Sequence, residues 1–229
     1  MNTKLILLDG IPGSGKSTTA DFIHRQLKGN GITARWLHEL EDANPLFNAE
    51  YINTRTIEDA TTYVNNTSDK WNNLVKEIQE QEIVYIIEGY ILQATVGCMF
   101  DNNIERNLIL KYSENVSEII QSLHPRIIYF SPEDVQKNLM NLRNVRDKEW
   151  IESRGESLSK SKYAVAHNLE GFEGWVTMLS TRAKLANEIV QSYQFPKIVI
   201  DSTEGSWDKY GTQICEFLGV HRVQEKNLQ

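Results

Sequence analysis

An octet near the start of the chain has the residue types and spacing that bind a triphosphate. Residues 10–17 have the sequence GIPGSGKS and fit the Walker A pattern G-x-x-x-x-G-K-[ST] at every fixed position. Its glycines let backbone N–H groups turn inward around an anion, Lys16 can reach the β- and γ-phosphates, and the Ser17 hydroxyl can hold Mg²⁺. The expected nucleotide-binding residues here are Gly10, Pro12, Gly13, Ser14, Gly15, Lys16, Ser17 and Thr18.

The flanking residues predict the elements that position this loop. Residues 5–8 are continuously apolar and indicate a strand, whereas residues 18–27 carry Ala20, Ile23 and Leu27 at helical spacing. The order strand, loop, helix is the context that the motif requires. A glycine-rich turn with an incidental lysine is the alternative, and this context disfavours it.

Five β-rich runs alternate with longer helical stretches along the chain. The predicted strands span residues 4–9, 32–39, 83–88, 126–130 and 197–201. Such alternation indicates parallel strands joined by helical crossovers, and the nearly continuous apolar character of the runs indicates helices on both faces of the sheet. We therefore predict one α/β domain over residues 1–229, a three-layer sandwich around a five-stranded parallel sheet.

Two stretches stand apart from this alternation. Residues 40–81 predict a helical insertion, because Trp71, Leu74 and Ile78 recur at helical spacing in its second half. Residues 143–171 are the most polar and least periodic part of the chain. This polar segment is typical of a mobile flap.

Composition narrows the class of protein. Asp and Glu total 31 against 24 Lys and Arg, a formal net charge of −7, and no block of basic residues occurs, so nucleic acid is not an expected partner. The chain shows neither a membrane span nor a secretory signal, which predicts a soluble cytoplasmic protein without a membrane partner. Cys98 and Cys215 match no metal spacing and are expected to be buried free thiols.

An acid closes the third predicted strand. Glu88 follows the apolar residues 83–87 and precedes Gly89, which places its carboxylate at the carboxyl edge of a strand expected beside the P-loop strand. There it can organise Mg²⁺ together with Ser17, or activate the acceptor of a phosphoryl group. Capping of the next helix is the alternative role.

Three arginines of the polar segment are candidates for stabilising the charge of a migrating phosphoryl group. Arg143 and Arg146 share a face if the preceding helix continues, and Arg154 follows in the same stretch. Guanidinium groups on a closing flap neutralise phosphate oxygens effectively. The alternative is that all three are solvated charges paired with nearby acids.

These features together resemble the P-loop kinases of small molecules, a group that includes nucleoside and nucleotide kinases, shikimate-type kinases and antibiotic phosphotransferases. The resemblance rests on the loop G-x-P-G-S-G-K-S-T, on Glu88 at a strand end and on the arginines before a late helix. It implies the P-loop NTPase fold with strand order 2-3-1-4-5. It also implies a mobile lid over residues 143–171 and an acceptor site between the helical insertions.

The resemblance further implies roles for residues that no motif identifies. In nucleoside kinases an acid near the end of the second strand is the catalytic base, a position that Glu39 occupies here. Asp42 and Arg55 fall where such kinases bind their acceptor. Ser202 falls in the loop 201–205, where they contact the nucleotide base, although an ordinary loop and helix cap is at least as expected there.

His38 and Tyr90 complete the expected acceptor side. His38 stands beside Glu39, where a structural hydrogen bond is the commoner role of a lone histidine. Tyr90 follows Glu88 and Gly89, at a place where nucleoside kinases carry an E-R-S-like triplet. Its ring can stack on a planar acceptor or pack in the core.

The residues thus predict a phosphotransferase that uses ATP and Mg²⁺ and moves the γ-phosphoryl group to a small acceptor, with a nucleoside or nucleotide favoured. A kinase of an antibiotic or sugar has the same chemistry and stays open, as does an ATP-binding switch or interaction protein without a small acceptor. The guanine-reading motifs N-K-x-D and T-K-x-D and the transporter signature L-S-G-G-Q are absent from the sequence. Oligomeric state is not encoded in any motif, and a homodimer stays open.

Overall fold

A five-stranded parallel sheet lies at the centre of the molecule, for which the computed structural model describes residues 2–38, 41, 44–46, 57–146 and 148–224. Its strands are β1 (Leu5–Gly10), β2 (Ala34–Leu37), β3 (Val84–Glu88), β4 (Arg126–Phe130) and β5 (Lys197–Ile200). They lie in the order β2-β3-β1-β4-β5, and every adjacent pair is parallel. The predicted sheet and its strand order are confirmed.

Helices connect the strands and cover both faces of the sheet. Those before β4 are α1 (Lys16–Gly29), α2 (Ile57–Gln79), a π-helix (Tyr90–Val96), α3 (Gly97–Asp101) and α4 (Arg106–Ile120), which ends in a 3₁₀ turn (Gln121–Leu123). Those after β4 are α5 (Val135–Val145), α6 (Lys148–Ser159), α7 (Lys162–Ala166), α8 (Gly171–Ser192) and α9 (Trp207–Leu218).

Side chains that alternate along the strands form two hydrophobic layers. On one face, Ile6 of β1 packs with Ile23 of α1 and Ile214 of α9. On the other face, Leu7 of β1 belongs to a larger core with Trp71 of α2 and residues of α4, α5 and α8. Each such side chain, once fully buried, contributes roughly 1.5–3 kcal/mol of hydrophobic stabilisation. The three-layer architecture follows from this division.

The polar segment contains more helix than its sequence pattern indicates. It includes α6 and α7, and Ile151 and Leu158 of α6 are buried in the larger core. These two positions lie seven residues apart, which puts them on one face of the helix. That the segment moves as a lid stays a prediction.

The structure also bears on the expectations about the two cysteines and about membrane-spanning segments. Cys98 and Cys215 are buried and free, as predicted. None of the described helices combines the length and the apolar character that a membrane crossing requires. Within the predicted insertion 40–81, the described helix is α2.

Candidate functional site

The P-loop (residues 10–17) joins the end of β1 to the start of α1 and is closely packed. A Cβ on Gly10 would lie 2.7 Å from the carbonyl oxygen of Phe130 on β4. Gly15 has a φ of +89°, which favours glycine, and a Cβ there would overlap the Trp207 ring at 2.0 Å. The loop is therefore held between β4 and the first residue of α9.

Two polar side chains of the P-loop are buried. Lys16 is 6% exposed, and its Nζ donates a hydrogen bond of 3.0 Å to the Ile11 carbonyl oxygen. Ser14 is fully buried, and its Oγ has no hydrogen-bond partner within the described residues. Because an unsatisfied buried hydroxyl costs roughly 1–3 kcal/mol, a phosphate oxygen that accepted from it would remove that cost. The loop thus fits a triphosphate.

Glu88 ends β3 beside the P-loop strand, where its place in the sequence predicted it. Leu8 of β1 is opposite Glu88 in the parallel register. The Glu88 side chain is fully buried. Its Oε1 accepts a hydrogen bond from the Ser17 hydroxyl, and its Oε2 accepts one of 3.2 Å from Trp36 Nε1. Since an unpaired buried carboxylate is costly, these donors stabilise it where it is.

The pairing of Ser17 with Glu88 suits a magnesium ion held with a nucleotide. Among the residues that the structure describes, no group of three or more His, Cys, Asp or Glu side chains could hold a metal ion alone. Mg²⁺ at nucleotide sites takes one or two protein oxygens and completes its shell with phosphate oxygens and water. The Ser17 hydroxyl and the Glu88 carboxylate are oxygen groups of that kind.

Asp9 is a second buried carboxylate at this edge of the sheet. Its Oδ1 accepts from the amides of Gly10 at 2.9 Å and Gln93 at 3.0 Å, and its Oδ2 accepts from the amide of Leu92 at 2.8 Å. Burial raises the pKa of Asp9 from 3.8 to about 6, although these hydrogen bonds and the charge of Lys16 oppose the shift. Asp9 therefore ties the start of the P-loop to the first turn of the π-helix.

Helix α5 packs directly on the P-loop. The Asp134 carboxylate caps its start by accepting from the Lys137 amide at 2.8 Å. Buried Asn138 then donates from Nδ2 to the Pro12 carbonyl oxygen at 3.1 Å, and Leu142 lies one turn further along against the same loop. The helix therefore holds the first half of the P-loop in place.

Arg143 and Arg146 lie where the polar segment begins. Arg143 is exposed in the last turn of α5, with its guanidinium carbon 5.1 Å from the centroid of the Phe172 ring. Helix α5 ends between the two arginines and Arg146 has extended backbone, so the two do not share a helical face. The Arg154 side chain lies outside the part that the structure describes. The role of these arginines toward a phosphoryl group stays a prediction.

The loop after β5 carries a second buried hydroxyl. Ser202 is 6% exposed, and no described residue hydrogen-bonds its Oγ. The adjacent Asp201 accepts from the hydroxyl and amide of Thr203 at 2.6 and 3.0 Å and from the Glu133 amide at 3.1 Å. Burial alone would raise the pKa of Asp201, but these hydrogen bonds hold it below its usual value. The loop is thereby fixed against the residues that precede α5.

An open groove of about 830 Å³ runs between α1 and α9. Its wall includes Thr18, directly after the P-loop, and the rings of Phe22 and Trp207. Trp207, the first residue of α9, is 44% exposed. Elsewhere in the wall, the Arg222 guanidinium donates to the Asp208 carboxylate at 2.6 Å. A nucleotide whose phosphates lie in the P-loop would have this groove beside it.

On the predicted acceptor side, the structure describes His38 and Tyr90. His38 follows β2, and its ring meets the Trp36 ring edge-on with centroids 5.4 Å apart. Tyr90 begins the π-helix, is 6% exposed and belongs to the larger core. The other three predicted residues lie outside the described ones; they are Glu39, Asp42 and Arg55.

Two residues, Trp36 and Asn138, shape the site without having been expected from the sequence. The Trp36 indole lies in a run that has the pattern of an ordinary strand, and only its partner on β3 reveals its contact. Asn138 lies in α5, whose sequence pattern indicates the apolar face of the helix but not the contact of this amide with Pro12. Asp9 differs from them, because an acid directly before the first P-loop glycine is recognisable in the sequence as a residue that could assist a metal ion through water. Its contacts with the amides of Leu92 and Gln93 are not encoded in that position.

A family model described as an AAA domain matches residues 6–126, more than half of the chain. The chain belongs to this family. No curated protein matches the chain significantly. Solved structures match this AAA-domain chain over nearly its whole length.

One similar structure is deoxyadenosine kinase from M. mycoides with bound dATP, at 18% identity and a TM-score of 0.52, covering 93% of this chain and 98% of that chain. Another is the YorR protein of Bacillus subtilis in complex with phosphorylated GDP, at 15% identity and a TM-score of 0.50, covering 94% of this chain and 95% of that chain. The resemblance to P-loop kinases is thus confirmed for the fold.

Proposed function

We propose that this chain is a phosphotransferase that uses ATP and Mg²⁺ and moves the γ-phosphoryl group to a small acceptor, a nucleoside or a nucleotide. The observation that carries the proposal is the hydrogen bond from Ser17 of the P-loop to the buried Glu88 of the adjacent strand. It joins the two groups that would organise a metal ion next to the phosphates which Lys16 would bind.

Phosphoryl transfer from the donor, ATP, depends on positioned charges more than on covalent catalysis by the protein. Lys16 and the P-loop amides would bind the β- and γ-phosphates, and the Ser14 hydroxyl would donate to a phosphate oxygen. Ser17 and Glu88 would hold Mg²⁺, which offsets the negative charge of the transferred group. At least one of the predicted arginines would add to that neutralisation, and Arg143 is on the helix that packs on the P-loop.

The base of the donor would lie in the groove between α1 and α9. Trp207 presents an exposed ring there, which suits stacking on a purine. Ser202, in the loop before α9, has a buried hydroxyl for which the described residues supply no partner, so a polar edge of the nucleotide would satisfy it.

The acceptor would lie at the carboxyl edge of β2 and β3. The bound dATP of one similar structure and the phosphorylated GDP of the other support a nucleoside or nucleotide in this role. Glu39 is the proposed base that takes the proton of the acceptor hydroxyl, next to His38. Asp42, Arg55 and Tyr90 are the further proposed acceptor contacts.

The direct test is a screen of acceptors with phosphorus NMR as the readout. The protein, ATP and MgCl₂ are mixed with nucleosides, nucleotides, sugars or antibiotics, and ADP and the phosphorylated product are followed together. Acceptor-dependent ADP release with a nucleoside or nucleotide product is the expected result. A sugar or antibiotic product would leave the donor chemistry intact and correct the acceptor, whereas slow hydrolysis indifferent to every acceptor would indicate a switch protein.

Variants test the assigned residues. We expect Lys16→Ala and Glu88→Gln to reduce turnover by at least about 100-fold, with circular dichroism unchanged. Glu82→Gln is the matched control, because the Glu82 side chain is 98% exposed at the opposite end of β3. Full activity of Glu88→Gln would remove Glu88 from the reaction.

A further inference from the structure

Trp36 reaches Glu88 from the strand on the other side of β3. Strand β3 lies between β1, which leads into the P-loop, and β2, which carries Trp36. Trp36 is opposite Ile86 in the parallel register, two residues before Glu88. Its indole Nε1 donates to Glu88 Oε2 at 3.2 Å. The Glu88 carboxylate is therefore contacted from the P-loop on one side and from β2 on the other.

The two donors engage different oxygens of the same carboxylate. Ser17 donates to Oε1 and Trp36 donates to Oε2. A glutamate side chain has three rotatable bonds, and a donor at each oxygen restricts the rotation of the carboxylate. The orientation of the carboxylate in turn fixes the Ser17 hydroxyl, whose proton points to Oε1 and whose lone pairs stay available to a cation.

We infer that Trp36 is a positioning residue for the metal and nucleotide site and acts through Glu88. The inference rests on the proposed function, since it assigns Trp36 to the metal-organising pair of that site. The indole N–H keeps Oε2 turned toward β2, so that Oε1 remains on the side of Ser17. Mutation of a residue that hydrogen-bonds a metal ligand in this way commonly lowers metal affinity by about 10–100-fold.

The hydrophobic part of the indole has a separate role. Trp36 is half-buried, packs against the α1 layer of the core and meets the His38 ring edge-on. Phenylalanine can keep most of this apolar contact and removes the N–H donor. Trp36→Phe therefore separates the hydrogen bond to Glu88 from the packing of the ring.

Trp175 offers a matched control within the same chain. It is 4% exposed in α8, and its Nε1 has no hydrogen-bond partner among the described residues. Trp175→Phe thus makes the same chemical change where no described hydrogen bond is lost. An effect that Trp36→Phe shows and Trp175→Phe does not show is therefore due to the lost hydrogen bond to Glu88.

The experiment compares the affinity of a non-hydrolysable ATP analogue in EDTA and in Mg²⁺ by calorimetry, with Mn²⁺ occupancy followed by electron paramagnetic resonance. For Trp36→Phe we expect the affinity in EDTA to stay within about twofold and the metal-dependent gain to fall by about tenfold. The same change in a Glu88→Gln background should have no further effect on that gain. Trp175→Phe should behave as the unmodified protein.

The outcomes separate this inference from the proposed function. An unmodified protein without any metal-dependent gain in affinity would contradict the proposed function itself. A normal gain that Trp36→Phe leaves intact, or an equal loss of affinity in EDTA and Mg²⁺, would overturn the positioning role alone. Should Trp36→Phe not fold, the Trp36 indole N–H resonance of the unmodified protein gives the answer, assigned by Phe variants of the other four of the five tryptophans. It must shift when Mg²⁺ joins the bound analogue, and an unchanged resonance would overturn the inference.

Discussion

Asp9 makes the stability of the folded protein decrease as the pH rises, whereas an ion-paired carboxylate makes it increase. Burial raises its pKa from 3.8 to about 6, so the folded chain binds this proton more tightly than the unfolded chain does. The resulting stabilisation is complete below pH 3.8 and is lost as the pH rises through about 6. A shift of about two pKa units corresponds to roughly 3 kcal/mol, of which about 2 kcal/mol falls between pH ~4.5 and ~7.5.

The matched variant is Asp9→Asn, which keeps the shape of the side chain and cannot titrate. Its NH₂ group would face one of the three amides that now donate to the carboxylate, at a cost of roughly 1–3 kcal/mol at every pH. The informative quantity is therefore the pH dependence of the difference in unfolding free energy, measured by urea unfolding and circular dichroism. From pH ~4.5 to ~7.5, the unmodified protein should lose about 2 kcal/mol relative to the variant. Parallel curves would refute the desolvation argument, and the opposite slope would mean that Lys16 and the amides outweigh burial.

Three further changes test the surroundings of the P-loop and the loop after β5. Gly15→Ala places a methyl group where the Trp207 ring lies and strains a backbone with a φ of +89°, so triphosphate affinity by calorimetry should fall by at least about tenfold; an unchanged affinity would count against this packing. Gln26→Leu removes the hydrogen bonds of 2.9 and 2.6 Å to the Val223 backbone, so hydrogen exchange of residues 221–224 should accelerate while α1 stays protected; equal protection would contradict the contact. The pKa of Asp201 is lower in the folded chain than in the unfolded chain, so its carboxylate stabilises the fold above the unfolded pKa, and this stabilisation is lost as the pH falls through the folded pKa. Asp201→Asn should therefore lower the free energy of unfolding, measured with urea, more at neutral than at acid pH. A difference that did not vary with pH would speak against it.

Local hydrophobicity was sufficient to predict the five strands, because each strand is a local apolar run, whereas their order was implied by the resemblance to P-loop kinases. The run 126–130 coincides with β4, whereas the run 32–39 is longer than β2, which covers Ala34–Leu37. The difference arises because a strand ends where its backbone pairing with a neighbour ends, and the described pairing of β2 with β3 covers those residues. The helix α6 was not predicted for a different reason, since its described buried residues, Ile151 and Leu158, stand among many polar ones in the sequence.

The donor side could be predicted further than the rest of the site, because its chemistry is contiguous in sequence. Residues 10–17 form a motif whose sequence alone predicts the loop conformation. The position of Glu88 beside this loop follows from the rule that the carboxyl ends of parallel strands meet at one edge of the sheet. The contact of Trp36 with Glu88 depends on strand neighbourhood and rotamers together, and no spacing along the chain encodes either. The three amides on Asp9 are likewise a consequence of how the π-helix begins.

Helix α5 connects the parts of the donor side, and this distinguishes the predicted arginines from one another. Its cap, Asp134, donates from its amide to the Thr203 hydroxyl at 3.3 Å, and Asn138 in its middle holds the P-loop. Arg143 is in its last turn, so it shares one continuous helix with the residue that contacts the P-loop. The backbone of Arg154 belongs instead to α6, which packs on α8. A role toward the phosphates is therefore expected first of Arg143, because it shares a helix with the residue that contacts the P-loop.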